Sequence, residues 1–91
     1  MPLNAADKPR LGKGVRLRRE AKGSSMLLVP EGALALNASA TAVLELVDGT
    51  LSVAEIAARL VEFFDVDENQ AREDVCVLLE RLAERRFIVT S

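Results

Sequence analysis

Apolar and polar positions change period along this chain, and each change marks an element. Residues 15–20 alternate, Val15 and Leu17 against Arg16 and Arg18, which is the period of two of a strand with one face on a core and one in water. Residues 26–29 form a short apolar run behind the turn-forming residues Ala21, Lys22, Gly23, Ser24 and Ser25, and read as a second strand. Pro30, Glu31 and Gly32 make a three-residue connection: proline presets the first turn position, and Gly32 is free to take the left-handed conformation that completes a bulge. The third strand covers residues 33–36, with Leu34 and Leu36 on one face and Ala33 and Ala35 on the other. The alanine face is small enough to let another backbone or a helix come close.

From Asn37 onward the period becomes helical. Ala40, Val43, Leu44 and Val47 recur at i, i+3, i+4 and i+7 behind Asn37, a good N-cap, and predict a helix over residues 38–47 that ends at Asp48-Gly49. Ser52 and Glu55 form an S-x-x-E capping box for a second helix, whose Val53, Ile56, Ala57, Leu60, Val61 and Phe64 keep one apolar stripe. Asp67, with Gln70 three residues on, opens a third helix with a stripe of Ala71, Val75, Leu78, Leu79 and Leu82, and Arg85 and Arg86 complement its C-terminal dipole. Residues 87–89 fold back onto the core. Residues 1–14 hold Pro2, Pro9, Gly12 and Gly14 without any apolar period, and are expected to be a mobile N-terminal arm that orders only with a partner. The expected domain is therefore residues 15–91, of α+β class.

Composition narrows what such a domain can do. A chain of 91 residues supports one core, and with aromatics at 3% that core is aliphatic, with Phe63, Phe64 and Phe87 as its large pieces. Histidine is absent and Cys76 is the single cysteine, so Cys/His zinc sites, Ser-His-Asp triads and Cys-His dyads are excluded together. One thiol, no secretory h-region and no apolar run of membrane-spanning length make the reducing cytosol the expected compartment, with no membrane role. The net charge of −2 hides an asymmetry: residues 1–22 carry seven basic and two acidic side chains, and residues 23–91 carry five basic and twelve acidic. A basic end on an acidic body either steers an acidic partner or is a solvated face.

The chemistry-bearing residues mostly explain themselves structurally. Glu73/Asp74 and Asp65/Asp67 invite an acid/base or cation reading, yet acidic residues near helix starts follow from the macrodipole alone. Cys76 projects to the boundary of the third helix stripe, where a lone cysteine is small packing, and Ser24 and Ser25 read as turn residues without a base. Three helices with a tight break raise a helix-turn-helix or small winged-helix DNA-binding reading, but the third helix would offer Asp67, Glu68, Glu73 and Asp74 to phosphate against Arg72 alone. What remains is the third strand, which has no later strand to pair with. Its edge can accept an extended peptide as one more strand, or be covered by the third helix or by a second copy of the chain.

The ordered set Pro30-Glu31-Gly32, Leu36-Asn37, Ala40, Leu44-Glu45-Leu46, Asp48-Gly49 and Val53-Ala54-Glu55-Ile56, followed by Asp74-Val75 with Leu78, Leu79 and Leu82, resembles the coenzyme PQQ synthesis protein D (PqqD) family over residues 15–89. The resemblance implies a three-stranded antiparallel sheet followed by three helices, a winged-helix-like peptide-recognition domain. It also implies a peptide chaperone, not an enzyme, that needs no cofactor. Such a protein binds the ribosomal precursor peptide PqqA and presents it to the radical SAM enzyme PqqE at the start of pyrroloquinoline quinone synthesis. The precursor pairs with the third strand beside the third helix, so the implied contacts are Leu34, Ala35, Leu36 and Asn37 on the strand side. On the helix side Arg72, Val75, Cys76 and Leu79 are expected, with Arg72 facing an acidic peptide residue.

Helical projection leaves two flanks beside the core stripe, Arg72/Cys76 and Gln70/Asp74/Val77/Arg81, and does not choose between them. This chain departs from the family pattern at Val47, where relatives often have Cys, and at Arg86-Phe87, where they often have Gly before an aromatic residue. The alternatives are a recognition domain for a different modified peptide or the DNA-binding reading above. A domain-exchanged homodimer is compatible with a weakly tied arm.

Overall fold

The computed structural model describes residues 3–20 and 23–90. In chain order the elements are β1 (Pro9–Leu11), β2 (Arg16–Arg19), β3 (Ser25–Val29), β4 (Gly32–Leu36), α1 (Ala38–Glu45), α2 (Val53–Phe63), α3 (Glu68–Glu84) and β5 (Ile88–Thr90). β2, β3 and β4 form an antiparallel sheet in that order, followed by three helices, as the alternation and the capping signals predict. The expected turn over residues 21–25 lies partly outside the described residues, as do the first two residues of the expected arm.

Local chemistry explains most boundaries. Asn37 Oδ1 accepts from the Ala40 N–H at 2.8 Å and starts α1. At α2 the capping box is complete: the Glu55 N–H donates to Ser52 Oγ at 3.2 Å, and the Ser52 N–H donates to Glu55 Oε1 at 2.9 Å. Asp67 Oδ2 accepts from the N–H groups of Asn69 and Gln70 and starts α3. At the far end of α3, the Phe87 N–H donates to Leu82 O and the Arg86 N–H to Ala83 O, both at 2.9 Å, with Arg86 at φ 64°. This is a complete Schellman end built on Arg86, a residue that is not glycine.

Four expectations are corrected in detail. Val29 pairs directly with Gly32, so the β3–β4 connection has two residues, Pro30 and Glu31. Ser25 is not an exposed turn residue: it opens β3, is 2% exposed, and its hydroxyl lies 2.6 Å from that of Thr41, a buried pair joining β3 to α1. α1 stops at Glu45, ahead of the expected Val47. Gly49, at φ 85°, serves instead to let the Asp48-Gly49 backbone meet the N-terminal segment, whose Pro9 carbonyl accepts from the Gly49 N–H at 2.9 Å.

The largest difference lies before Val15, where the sequence reading places only an arm. β1 pairs with β5, Pro9 opposite Thr90 and Leu11 opposite Ile88. The carbonyls of Asp7 and Ala5 accept from the N–H groups of Val53 and Ala54, two of the donors that the first turn of α2 cannot satisfy internally. The partner that the arm required is thus the opposite end of the same chain. Beneath both sheets runs one aliphatic core: Leu27, Ile56, Leu79, Val53 and Val75 are fully buried, with Leu36, Val43, Leu44, Leu60, Phe87 and Ile88 around them.

Candidate functional site

β4 is an edge strand: β3 pairs with one side of it over Gly32–Leu36, and no other described strand lies along the opposite side. Main-chain N–H and C=O groups alternate in direction along an antiparallel strand, so part of those on β4 have no strand partner. Its side chains alternate as well, Leu36 buried and Leu34 half-buried on the core face, Ala33 and Ala35 exposed on the outer face. At Asn37 the chain leaves the strand and enters α1.

A cleft of about 330 Å³ opens at that point, between the start of α1, the end of α2 and the N-terminal half of α3. Asn37, Ser39, Ala40 and Val43 form one wall, Leu60, Phe64 and Val66 the second, and Ala71, Asp74, Val75 and Leu78 the third. The walls are mainly apolar because each helix turns the border of its core stripe toward the gap. Asp74 is the charged group among them, and its Oδ1 accepts from Gln70 Nε2 at 2.9 Å, one helical turn earlier.

Two of the expected contact residues, Asn37 and Val75, meet at this cleft. Leu34, Ala35 and Leu36 lie along the adjoining strand. The other helix residues are placed elsewhere. Leu79 is fully buried in the core. Arg72 forms an i,i+4 ion pair with Glu68 at 3.5 Å, and half-buried Cys76 sits one turn from Glu80, whose Oε2 accepts from the Leu3 N–H at 3.0 Å. At Glu80 that flank of α3 meets the N-terminal segment, and on the other flank Asp74 lines the cleft. Asp74 and Leu78 belong to the cleft but not to the expected set. Helical projection places Asp74 and Arg72/Cys76 on opposite flanks without choosing between them, and the path of the N-terminal segment at Glu80 distinguishes the two.

The electrostatics offer little for bond-making chemistry. Burial pushes the Cys76 thiol up and Glu80 adds to the effect, against a smaller lowering by Arg72, so the thiol is held in its weakly nucleophilic protonated form. Among the described residues no group of three or more His, Cys, Asp or Glu converges to hold a metal ion, and no helix is long and apolar enough to cross a membrane. The first two turns of α3 expose Glu68, Glu73 and Asp74 next to the exposed N-cap Asp67, a surface that repels a phosphate backbone. Basic charge gathers instead on β2, where Arg18 pairs with Glu20 at 3.0 Å and Arg19 pairs with Glu45 of α1.

Comparison with known proteins gives consistent matches. Residues 25–88 match the family described as coenzyme PQQ synthesis protein D (PqqD). The chain is 40% identical over 87 residues to the bifunctional coenzyme PQQ synthesis protein C/D of Methylorubrum extorquens, covering 94% of this chain but only 23% of that longer protein. It is 43% identical over 83 residues to the PqqA binding protein of Azotobacter vinelandii, covering 90% of this chain and 89% of that one. Among solved structures it superposes with a TM-score of 0.80 and 39% identity on the PqqD truncation of Methylobacterium extorquens PqqCD, described as a functional and stand-alone recognition element for ribosomally synthesised, post-translationally modified peptides. That match covers 96% of this chain and 94% of the other.

Proposed function

The chain belongs to the coenzyme PQQ synthesis protein D family, and from that premise we propose that it is a peptide chaperone of pyrroloquinoline quinone biosynthesis. It binds the ribosomal precursor peptide PqqA and presents it to the radical SAM enzyme PqqE, in the cytoplasm and without catalysing a step itself. The names of its relatives and the recognition-element fold support the ligand class. The observation that carries the mode of binding is the unpaired side of β4, which runs into an apolar cleft at Asn37.

In this mode the precursor adds antiparallel to β4 as the outermost strand. Each main-chain hydrogen bond so formed nets about 0.5–1.5 kcal/mol, the same for any sequence, so the strand supplies affinity and not selectivity. Selectivity comes from side chains that alternate along the peptide, some of which point into the cleft. The proposed contacts are Leu34, Ala35, Leu36 and Asn37 with Asp74, Val75 and Leu78. Arg72, Cys76 and Leu79 are left out because they lie on the other flank of α3 or inside the core.

An amide NMR titration of the labelled chain with synthetic PqqA at two salt concentrations tests this. Saturable shifts on residues 32–37 and on Gln70, Asp74 and Leu78 are expected. Shifts centred on Arg72 and Cys76 would move the groove to the opposite flank, and no shifts at millimolar-range peptide (on the order of 1 mM, where only about 4 kcal/mol of binding is needed) would refute the chaperone reading.

A further inference from the structure

The cleft has one charged group on its wall, and among the described residues that group has no charged partner. The Asp74 carboxylate accepts from the neutral Gln70 amide and forms no ion pair among the described residues, while Val75, Leu78, Phe64 and Val66 around it are apolar. An apolar peptide side chain seated here would strip water from a carboxylate and return only an amide in exchange. An acidic one would be repelled. A lysine or arginine satisfies both surfaces, because its methylene stem packs on apolar walls while its cationic head reaches a carboxylate.

Resting on strand addition at β4, we propose that Asp74 makes this cleft selective for a basic side chain of the bound peptide. The stem of that residue lies against Val75, Leu78 and Phe64, and its head pairs with Asp74, which Gln70 orients. The recognised ligand is then an extended peptide with a lysine or arginine placed where its strand passes the end of β4.

The test uses synthetic PqqA and a set of variants in which each lysine or arginine is replaced in turn by norleucine, titrated calorimetrically into the whole chain and into Asp74→Asn. One norleucine replacement is expected to weaken binding about tenfold, and Asp74→Asn to weaken binding of the parent peptide by about the same factor, with no further loss when the two are combined. Asp74→Lys is expected to weaken the parent and to recover affinity for the peptide carrying glutamate at that position. Circular dichroism and β4 amide shifts establish that each variant is folded and still binds at the strand. Parent binding that produces β4 shifts but is indifferent to Asp74→Asn and to every norleucine replacement overturns this proposal alone. Absence of parent binding to the unsubstituted chain overturns strand addition and this proposal with it.

Discussion

Replacing Gly12 by alanine should damage this fold more than any other single methyl group added to a glycine, because the methyl would enter backbone. Gly12 is buried at the end of β1, where its N–H donates to Phe87 O at 2.8 Å. An alanine Cβ there would lie 2.6 Å from Arg86 O and 3.3 Å from Phe87 O. Neither carbonyl can swing aside. Arg86 and Phe87 are held by their hydrogen bonds to Ala83 and Leu82, and Phe87 and Ile88 are 3% and 2% exposed.

β1 must therefore move outward, which removes the Gly12–Phe87 hydrogen bond, about 1 kcal/mol net, and adds overpacking strain of about 1–3 kcal/mol. The stiffer unfolded chain of the alanine variant returns about 0.4–1 kcal/mol. The expected net loss is about 1–3.6 kcal/mol, which at about 4–8 °C per kcal/mol lowers Tm by roughly 4–29 °C. Far-ultraviolet circular dichroism during heating and urea titration measures it, since the chain has no tryptophan or tyrosine to report by fluorescence. An alanine variant within about 0.5 kcal/mol of the parent, the range of ordinary surface substitutions, would refute the close approach of β1 to the α3–β5 corner.

Three other outcomes follow from the same packing. Arg86→Gly should stabilise the chain by about 0.5–1 kcal/mol, because relief of a left-handed residue at φ 64°, about 1–2 kcal/mol, exceeds the added entropy of glycine in the unfolded chain. A lower urea midpoint for that variant would show that Arg86 makes a compensating contact. Thr41→Val or Ser25→Ala alone should cost about 1–3 kcal/mol by orphaning the other buried hydroxyl, and the double variant less than the two singles together, read from a double-mutant cycle. On the acid side, Glu55 is held below its ordinary value of 4.5 by its bonds to Ser52, and Asp48 below 3.8 by its bonds to Thr50. Both folded-state values are depressed, so their contribution is present above the ordinary values and is lost as pH falls through the folded ones. Urea midpoints should decline below about pH 4.5, and Glu55→Gln with Asp48→Asn should flatten that decline.

Local chemistry carried most of the architecture in this chain. The alternation of Leu17 with its arginines, the Pro30-Glu31-Gly32 corner, the Asn37 and Asp67 caps and the Ser52–Glu55 box each involve groups within four residues of one another. Their geometry is therefore set by the residues themselves. A composition without histidine offers a strand edge in place of a catalytic centre, and the family resemblance rests on the same ordered turns and caps. The edge of β4 could be expected because no later strand was predicted to follow it.

The tertiary structure decided what depends on residues far apart. Residues 1–14 carry no periodic signal because β1 is only three residues long and exists by pairing with β5, some eighty positions later. No local pattern encodes a partner at that separation. The same segment occupies the Cys76/Glu80 flank of α3 and leaves the Asp74 flank to the cleft, a choice that helical projection cannot make because both flanks border the stripe equally. Sequence determined the central sheet and the three helices, since their caps and turns are contacts between neighbours. Which flank of α3 meets the N-terminal segment and which borders the cleft was decided by how the two ends of the chain close on each other.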